Sequence, residues 1–414
     1  MESAKSYEEK REVSLWKSRS FLLLAFTTVV SSLSLSMFMF LQSWYIVESL
    51  HMAAALGMVL ISLTTVRMVS MIVGGVVADR CSQTKVMAAS DLTMAVFLFT
   101  LSICFLTLQE VPVWIMAVHA GLFGACGGMF EPARDALLPK VAGEEQLTRA
   151  NSVIQGTIQI ATFTGPLLAG VLIHSLSYSF VLLIIVLFLI LSGVGILFVK
   201  KQGKDAQEGE RSPFYAQLAE GFRYTWQSRL LRSLFIITII VNFFISGPLM
   251  MGLPIFVEGV LKGSALDFSL VQGGLTFGMI LGAVLIGFLN IRRRRGAYAL
   301  YLIALEGAGM FIFSRADTLV LSVLIIVLIG MIIPAVNIPL LSLVQSSAEE
   351  SKVGRVMSLI RTGSLGLIPL SYAVTSLFLG WGIPIQTLMA WSALPLLVSV
   401  FALYVTFPVL RSAD

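Results

Sequence analysis

Three ionisable side chains, Arg67, Asp91 and Glu306, stand inside stretches that are otherwise apolar. A charge at the centre of a bilayer is expensive, so each needs a water-filled cavity, an opposite charge or a neutralising proton. Arg67 falls near the middle of its stretch. It suits either a buried structural ion pair or a role in binding substrate or coupling to protons. Asp91 lies about one turn past a water boundary, where an acid either pairs with a base or moves protons. Glu306 is the deepest acid of the second half, and is either a proton carrier or a glutamate paired inside a bundle. A second set of charges sits at boundaries. Gly74-Gly75-Val76-Val77-Ala78-Asp79-Arg80-Cys81-Ser82-Gln83-Thr84-Lys85 joins two apolar runs through a short polar turn. Small residues there let two helix backbones approach closely. Phe130-Glu131-Pro132-Ala133-Arg134 to Pro139 reads as a charged loop bracketed by prolines. Gly165-Pro166 with Gly170 interrupts another apolar run, since proline removes one helix hydrogen bond and glycine permits a bend or a close contact. His119 reads as a packed, hydrogen-bonded ring.

The elements that carry these residues follow from composition. The chain has 414 residues, 57% of them hydrophobic and 12% charged. A soluble domain carries nearer 25% charge. Each crossing of a bilayer takes about 20 apolar residues, and twelve such runs can be placed. When twelve crossings are drawn, 24 of the 28 lysines and arginines fall on the side of the N-terminus, with Lys262 and Arg315 opposite and Arg67 and Arg361 inside helices. That asymmetry puts both termini in the cytoplasm. It also explains the net charge of +5 without a nucleic-acid partner. The first run lacks a small-residue cleavage site and reads as a retained helix. Cys81, Cys104 and Cys126 leave no pair in an outer loop, so no disulfide is expected.

The expected organisation is a cytoplasmic tail at 1–20, a six-helix bundle at 21–199, a cytoplasmic linker at 200–232, a second bundle at 233–408 and a tail at 409–414. In the linker, Phe214, Leu218 and Phe222 recur at helical spacing beside Arg223, Arg229 and Arg232, which predicts an amphipathic helix on the membrane surface. Arg149-Ala-Asn-Ser152 returns as Arg355-Val-Met-Ser358, the repetition expected of two homologous halves. The serine-rich stretch at 31–36 suits tight packing or a polar cavity lining. Gly247-Pro248 and Pro254 predict a broken seventh helix. Gly274, Gly278 and Gly282 form a ridge that could meet helix five across the halves. The fold class is therefore all-α and membrane-embedded, with twelve helices in two bundles related by a pseudo-two-fold axis.

Gly75-x-x-x-Asp79-Arg80 with Lys85 resembles the signature between helices two and three of the major facilitator superfamily. Ser82 and Gln83 stand where that family usually has glycine and arginine. The resemblance implies that Asp79 docks against the start of helix eleven and latches the cytoplasmic side shut, with Gly75, Arg80, Lys85, Glu131, Arg134 and Arg361 as its companions. Pro132-Ala133-Arg134, Arg149-Ala150-Asn151-Ser152 and Gly165-Pro166-x-x-x-Gly170 together resemble a narrower branch, the drug:proton antiporters that include macrolide efflux pumps and enterobactin exporters. Gly165, Pro166 and Gly170 correspond to that branch's antiporter motif.

No metal-spaced cluster, phosphate-binding glycine loop or nucleophile elbow is present in the sequence. The expectation is a transporter in the cell membrane, not an enzyme, without metal or other cofactor. Its energy would come from an ion gradient. Its partners would be protons, the lipid bilayer and a small amphipathic substrate of the macrolide or siderophore kind, and it would act as a monomer. A lipid or lysolipid flippase, a dedicated-metabolite exporter and a non-transporting membrane sensor or scaffold are the alternatives.

Overall fold

The structure is a computed structural model that describes residues 15–143, 145–200, 214–289, 293–349 and 352–412. Among these residues it is helix joined by short turns. The first half holds α1 (Arg19–Trp44), α2 (Leu56–Arg80), α3 (Gln83–Thr107), α4 (Val113–Ala142), α5 (Leu147–Ser175) and α6 (Tyr178–Ile196). A shorter α7 (Phe214–Gln227) leads to the second half: α8 (Arg229–Ile245), α9 (Gly252–Gly259), α10 (Ala265–Leu289), α11 (Arg295–Phe313), α12 (Leu319–Ser347), α13 (Val353–Gly380), α14 (Ile385–Thr406) and α15 (Val409–Ser412). With α8 and α9 taken as one span, Arg229–Gly259, twelve helices among the described residues are long and apolar enough to cross a membrane. Backbone groups have no water to bond in hydrocarbon, and helices satisfy them internally.

The helices pack as two groups. In the first, α1 lies against α5 and α6, α2 against α4, and α3 against α4 and α6. In the second, α10 lies against α12, α11 against α12 and α14, and α8 against α13 and α14. Close approach of glycine backbones sets the tightest pairs. Gly124 and Gly128 of α4 lie on the Leu63 and Arg67 carbonyls of α2. The ridge Gly278, Gly282 lies on the Val327 and Met331 carbonyls of α12. That ridge therefore packs inside its own half, not across the halves as its spacing suggested. A side chain on α10 would hold α12 away, whereas the crossing to α5 is made by other faces of α10.

Two helix pairs make most of the contact between the halves, α2 with α13 and α5 with α10. Both taper along their length. Call the end that holds α7 and the start of α1 the linker end, and the opposite one the far end. Near the far end, a Cβ on Gly57 would stand 2.5 Å from Ser376 Cβ, and the Ser376 hydroxyl donates to the Ala54 carbonyl. Midway, a Cβ on Gly366 would meet only the Met68 sulfur, at 3.9 Å. Towards the linker end, a Cβ on Gly75 would meet nothing within 4 Å. The other pair behaves alike: Gly170 abuts Ser269, Leu167 abuts Gly273, and Gly156 has open space. Phe268 of α10 adds to the far-end seal by stacking on Phe40 and Trp44 of α1. The halves thus touch at the far end and part towards the linker end.

Prolines shape the helices without ending them. Pro132 and Pro139 lie inside α4, so the stretch from Phe130 to Pro139 is helix and not a loop. Pro132 deprives the Gly128 carbonyl of its intrahelical donor, and that carbonyl lies close against Gly74 of α2. Pro166 likewise frees the Thr162 carbonyl, and Ser36 of α1 donates to it at 3.3 Å. The α8–α9 span is interrupted, as its prolines suggest, by one wider π-helical turn at Ser246–Met251. Ser371 of α13 bridges the gap, accepting from the Gly247 amide at 2.7 Å and donating to the Phe243 carbonyl.

α7 is fastened to the second half. Arg355 pairs with Glu220, Tyr224 accepts from the Glu349 amide at 3.1 Å, and Lys352 sits over the Tyr224 ring. Phe222 and Trp226 stack on one another and are about half exposed. The side chains of Phe214 and Leu218 lie outside the described residues.

Candidate functional site

Arg67 forms an ion pair with Glu131. The two helices bring them together along a single seam. On α4, Gly124, Gly128 and Glu131 follow one another at helical spacing and face α2. On α2, Leu63, Arg67 and Gly74 answer them. The glycines draw the backbones close enough for the pair to form. Both side chains keep about a quarter of their exposure, 25% for Arg67 and 27% for Glu131. That exposure is not towards lipid. Met58, Val69, Val73 and Val76 form the outward face of α2, and Arg67 lies on the opposite side of the helix, next to Met68, which faces Gly366 of α13. The pair therefore borders the cleft between the halves. Of the two readings for Arg67, an ion pair is observed, but one open to the cleft.

Asp91 is fully buried between α1, α3 and α6. No base meets it among the described residues. Ser31 donates to Oδ1 at 2.8 Å and Ser192 to Oδ2 at 2.5 Å. Of the serine-rich stretch in α1, Ser31 thus holds an acid, Ser34 bonds back to Val30 and Ser36 serves α5. Glu306 is 2% exposed within α11, and its Oε2 has no hydrogen-bond partner among the described residues. These two acids and the Arg67–Glu131 pair stand in separate places. His119 is hydrogen-bonded within the fold, to Thr100 and to the Ile115 carbonyl.

At the linker end, α2 and α3 are joined by Cys81 and Ser82 alone. Gln83 is buried and donates to the Ala78 carbonyl at 2.8 Å. It satisfies one of the carbonyls that a helix end leaves without a partner. Arg80 and Lys85 are exposed. Arg134 is buried and pairs with its exposed neighbour Asp135 at 2.8 Å, so it does not join Glu131. The side chains of Asp79 and Arg361 lie outside the described residues. In the motif of α5, Gly165 packs on Ser36 of α1, while Gly170 packs on Ser269 of the other half. One motif thus contributes both to the first bundle and to the far-end seal.

The model of the Major Facilitator Superfamily matches residues 24–368. The chain belongs to the major facilitator superfamily. Its similarity extends to an uncharacterised MFS-type transporter, YvqJ, of Bacillus subtilis, at 27% identity over 68% of this chain and 67% of that protein. It is 25% identical to macrolide efflux protein A of Enterococcus faecalis over 70% of this chain and 90% of that one. It is 23% identical to the multidrug efflux pump Tap of Mycolicibacterium fortuitum, over 78% and 82% respectively. The fold is that of solved superfamily transporters. The nucleoside transporter NupG superposes with a TM-score of 0.77 at 16% identity, covering 94% of this chain and 99% of its own. A bacterial homologue of the lysosomal transporter Spinster, in an inward-facing, unoccupied conformation, does so with 0.70 at 12% identity, covering 96% and 97%. The superfamily protein described here is thus a multi-pass membrane transporter.

Proposed function

We propose that this transporter exports small amphipathic compounds from the cytoplasm, in exchange for protons, by rocking its two halves about the cleft. The observation that carries the reading is the tapered contact between the halves, with the quarter-exposed Arg67–Glu131 pair on its wall. The excess of lysine and arginine at the linker end supports placing that end, and both termini, in the cytoplasm of a cell-membrane protein. The cleft would then be loaded from inside. The relatives named for macrolide and multidrug efflux support an amphipathic cargo, and a largely apolar cleft would favour loose selectivity. No nucleic acid is needed, and a monomer suffices.

Coupling is assigned to Glu131. Its carboxylate can hold the Arg67 guanidinium, a proton or a cationic group of the cargo, and these compete for it. Neutralising Glu131 leaves Arg67 uncompensated beside the cleft, which disfavours a water-poor, closed arrangement. Release of the proton restores the pair. Glu306 is a second proton holder, because its buried carboxyl has no charged partner among the described residues. Asp91, fixed by two serines, acts as a strut. Asp79, Arg80, Lys85, Arg134 and Arg361, with Gly75 leaving room, would form the latch that shuts the linker end.

The test is uptake into inverted membrane vesicles, with a panel of macrolides, cationic dyes and siderophores, with and without a protonophore. Uptake abolished by the protonophore supports proton-driven export. Uptake indifferent to the gradient contradicts the coupling. Movement of labelled lipid with no uptake from the panel would favour a flippase instead.

A further inference from the structure

We propose that the lateral groove between α11 and α14 is a binding site for a phospholipid of the far-end leaflet, selective for a zwitterionic head group with an ammonium. The groove has a volume of about 1060 Å³ and lies where the ends of α9 and α11 meet the first turns of α14. It lies on the outer side of the second half, away from the cleft and from the transport reading given above. Its two ends differ in chemistry. At the far end it is lined by Arg315, Asp317, Gln386 and Thr387. Towards the membrane centre its walls are apolar, with Phe311, Ile312, Trp391, Leu394 and Leu397 about half exposed. That is the polarity profile of a lipid, head outermost and chain inward.

The length agrees. Leu397 lies twelve residues beyond Ile385 along α14, which is about 18 Å at 1.5 Å per residue. Half of a hydrocarbon core is about 15 Å. The groove thus runs the depth of one leaflet and stops. A water-soluble ligand would have no use for the lower part.

The head-group preference follows from charge. Arg315 and Asp317 are exposed, and neither makes an ion pair with a described residue. Arg315 is steadied over the Phe311 ring at 5.5 Å, on the groove wall. A guanidinium there binds a phosphate through charge-assisted hydrogen bonds. Asp317, two residues on, offers a carboxylate to an ammonium and repels a second anion. Gln386 and Thr387 have no protein hydrogen bond from their side chains among the described residues and can serve the ester and glycerol oxygens. An ethanolamine phospholipid satisfies both charges, whereas a phosphoglycerol head satisfies only one.

The experiment is native mass spectrometry of the purified full chain, released from nanodiscs made of equal parts phosphatidylethanolamine and phosphatidylglycerol. The wild type should retain phosphatidylethanolamine in excess. Arg315→Gln should lower retention of both lipids about tenfold, the loss of one charge-assisted contact. Asp317→Asn should erase the preference while leaving total retention in place. Both positions are exposed, so neither change threatens the fold, and Ala390→Phe, which fills the groove, gives a third reading by displacing the lipid. Preference for phosphatidylglycerol in the wild type overturns the assignment, as does retention that is the same in all three variants.

Discussion

Arg67 and Glu131 are close in space but 64 positions apart in sequence. A partly exposed pair loses less than a fully buried one when broken. Arg67→Ala should lower stability by about 1–3 kcal/mol by stranding Glu131, and reduce proton-driven transport at least tenfold. The double variant Arg67→Ala, Glu131→Gln should recover thermal stability but not transport, since the coupling carboxylate is gone. Recovery of transport as well would make the pair structural only. Asp91 gives the opposite expectation. Asp91→Asn can still accept from Ser31 and should keep proton-driven uptake. Asp91→Leu strands the Ser31 hydroxyl, while Ser192 keeps the Thr27 carbonyl as acceptor, and should destabilise by about 2 kcal/mol. Loss of coupling in a stable Asp91→Asn protein would show that the acid moves protons. The ionisable residues themselves were legible in the sequence, because charge in an apolar run is rare. Their partners were not. The Gly124, Gly128, Glu131 spacing was a usable signal for the Arg67 pair, since a glycine ridge tells which face of α4 meets a neighbour. Ser192 carried no such signal for Asp91.

At the scale of elements, twelve helices could be read because each must span hydrocarbon, and length and apolar content decide that alone. Proline misleads as a mark of a helix end here, since Pro132 and Pro139 lie inside α4. In water a proline at Pro132 would suit a loop. In a membrane helix the freed Gly128 carbonyl is accommodated against Gly74, and α4 runs on. The α10 ridge was assigned to the wrong neighbour because spacing gives a face but not its partner. The two glycine classes now separate by test. Gly124→Ala or Gly278→Ala would drive a Cβ into a backbone carbonyl and should destabilise by about 1–3 kcal/mol, read as a lower melting temperature. A Cβ on Gly75 or Gly156 would meet nothing within 4 Å, so Gly75→Leu and Gly156→Leu should leave melting unchanged or slightly higher, since leucine favours a helix over glycine. Both should nevertheless abolish transport by blocking closure of the linker end. Full transport in Gly75→Leu would mean that the α2–α13 seam never closes there.

For the whole molecule, the contacts group the helices into two packed sets. What the sequence could not carry is the conformation. A stripe of small residues reads the same whether the seam is open or shut, and only the distances along Gly57, Met68 and Gly75 show the taper. In the proposed cycle that taper is one of two arrangements, exchanged by rigid-body rocking. The most direct measurement is a pair of spin-label distances on the full chain in proteoliposomes. One pair, at Val76 and Gly354, spans the linker end of the α2–α13 seam; the other, at Met52 and Trp381, spans its far end. Under a proton gradient with a transported compound, the first distance should shorten as the second lengthens. Two distances that stay fixed, or that change in the same direction while transport proceeds, would contradict alternating access in this protein.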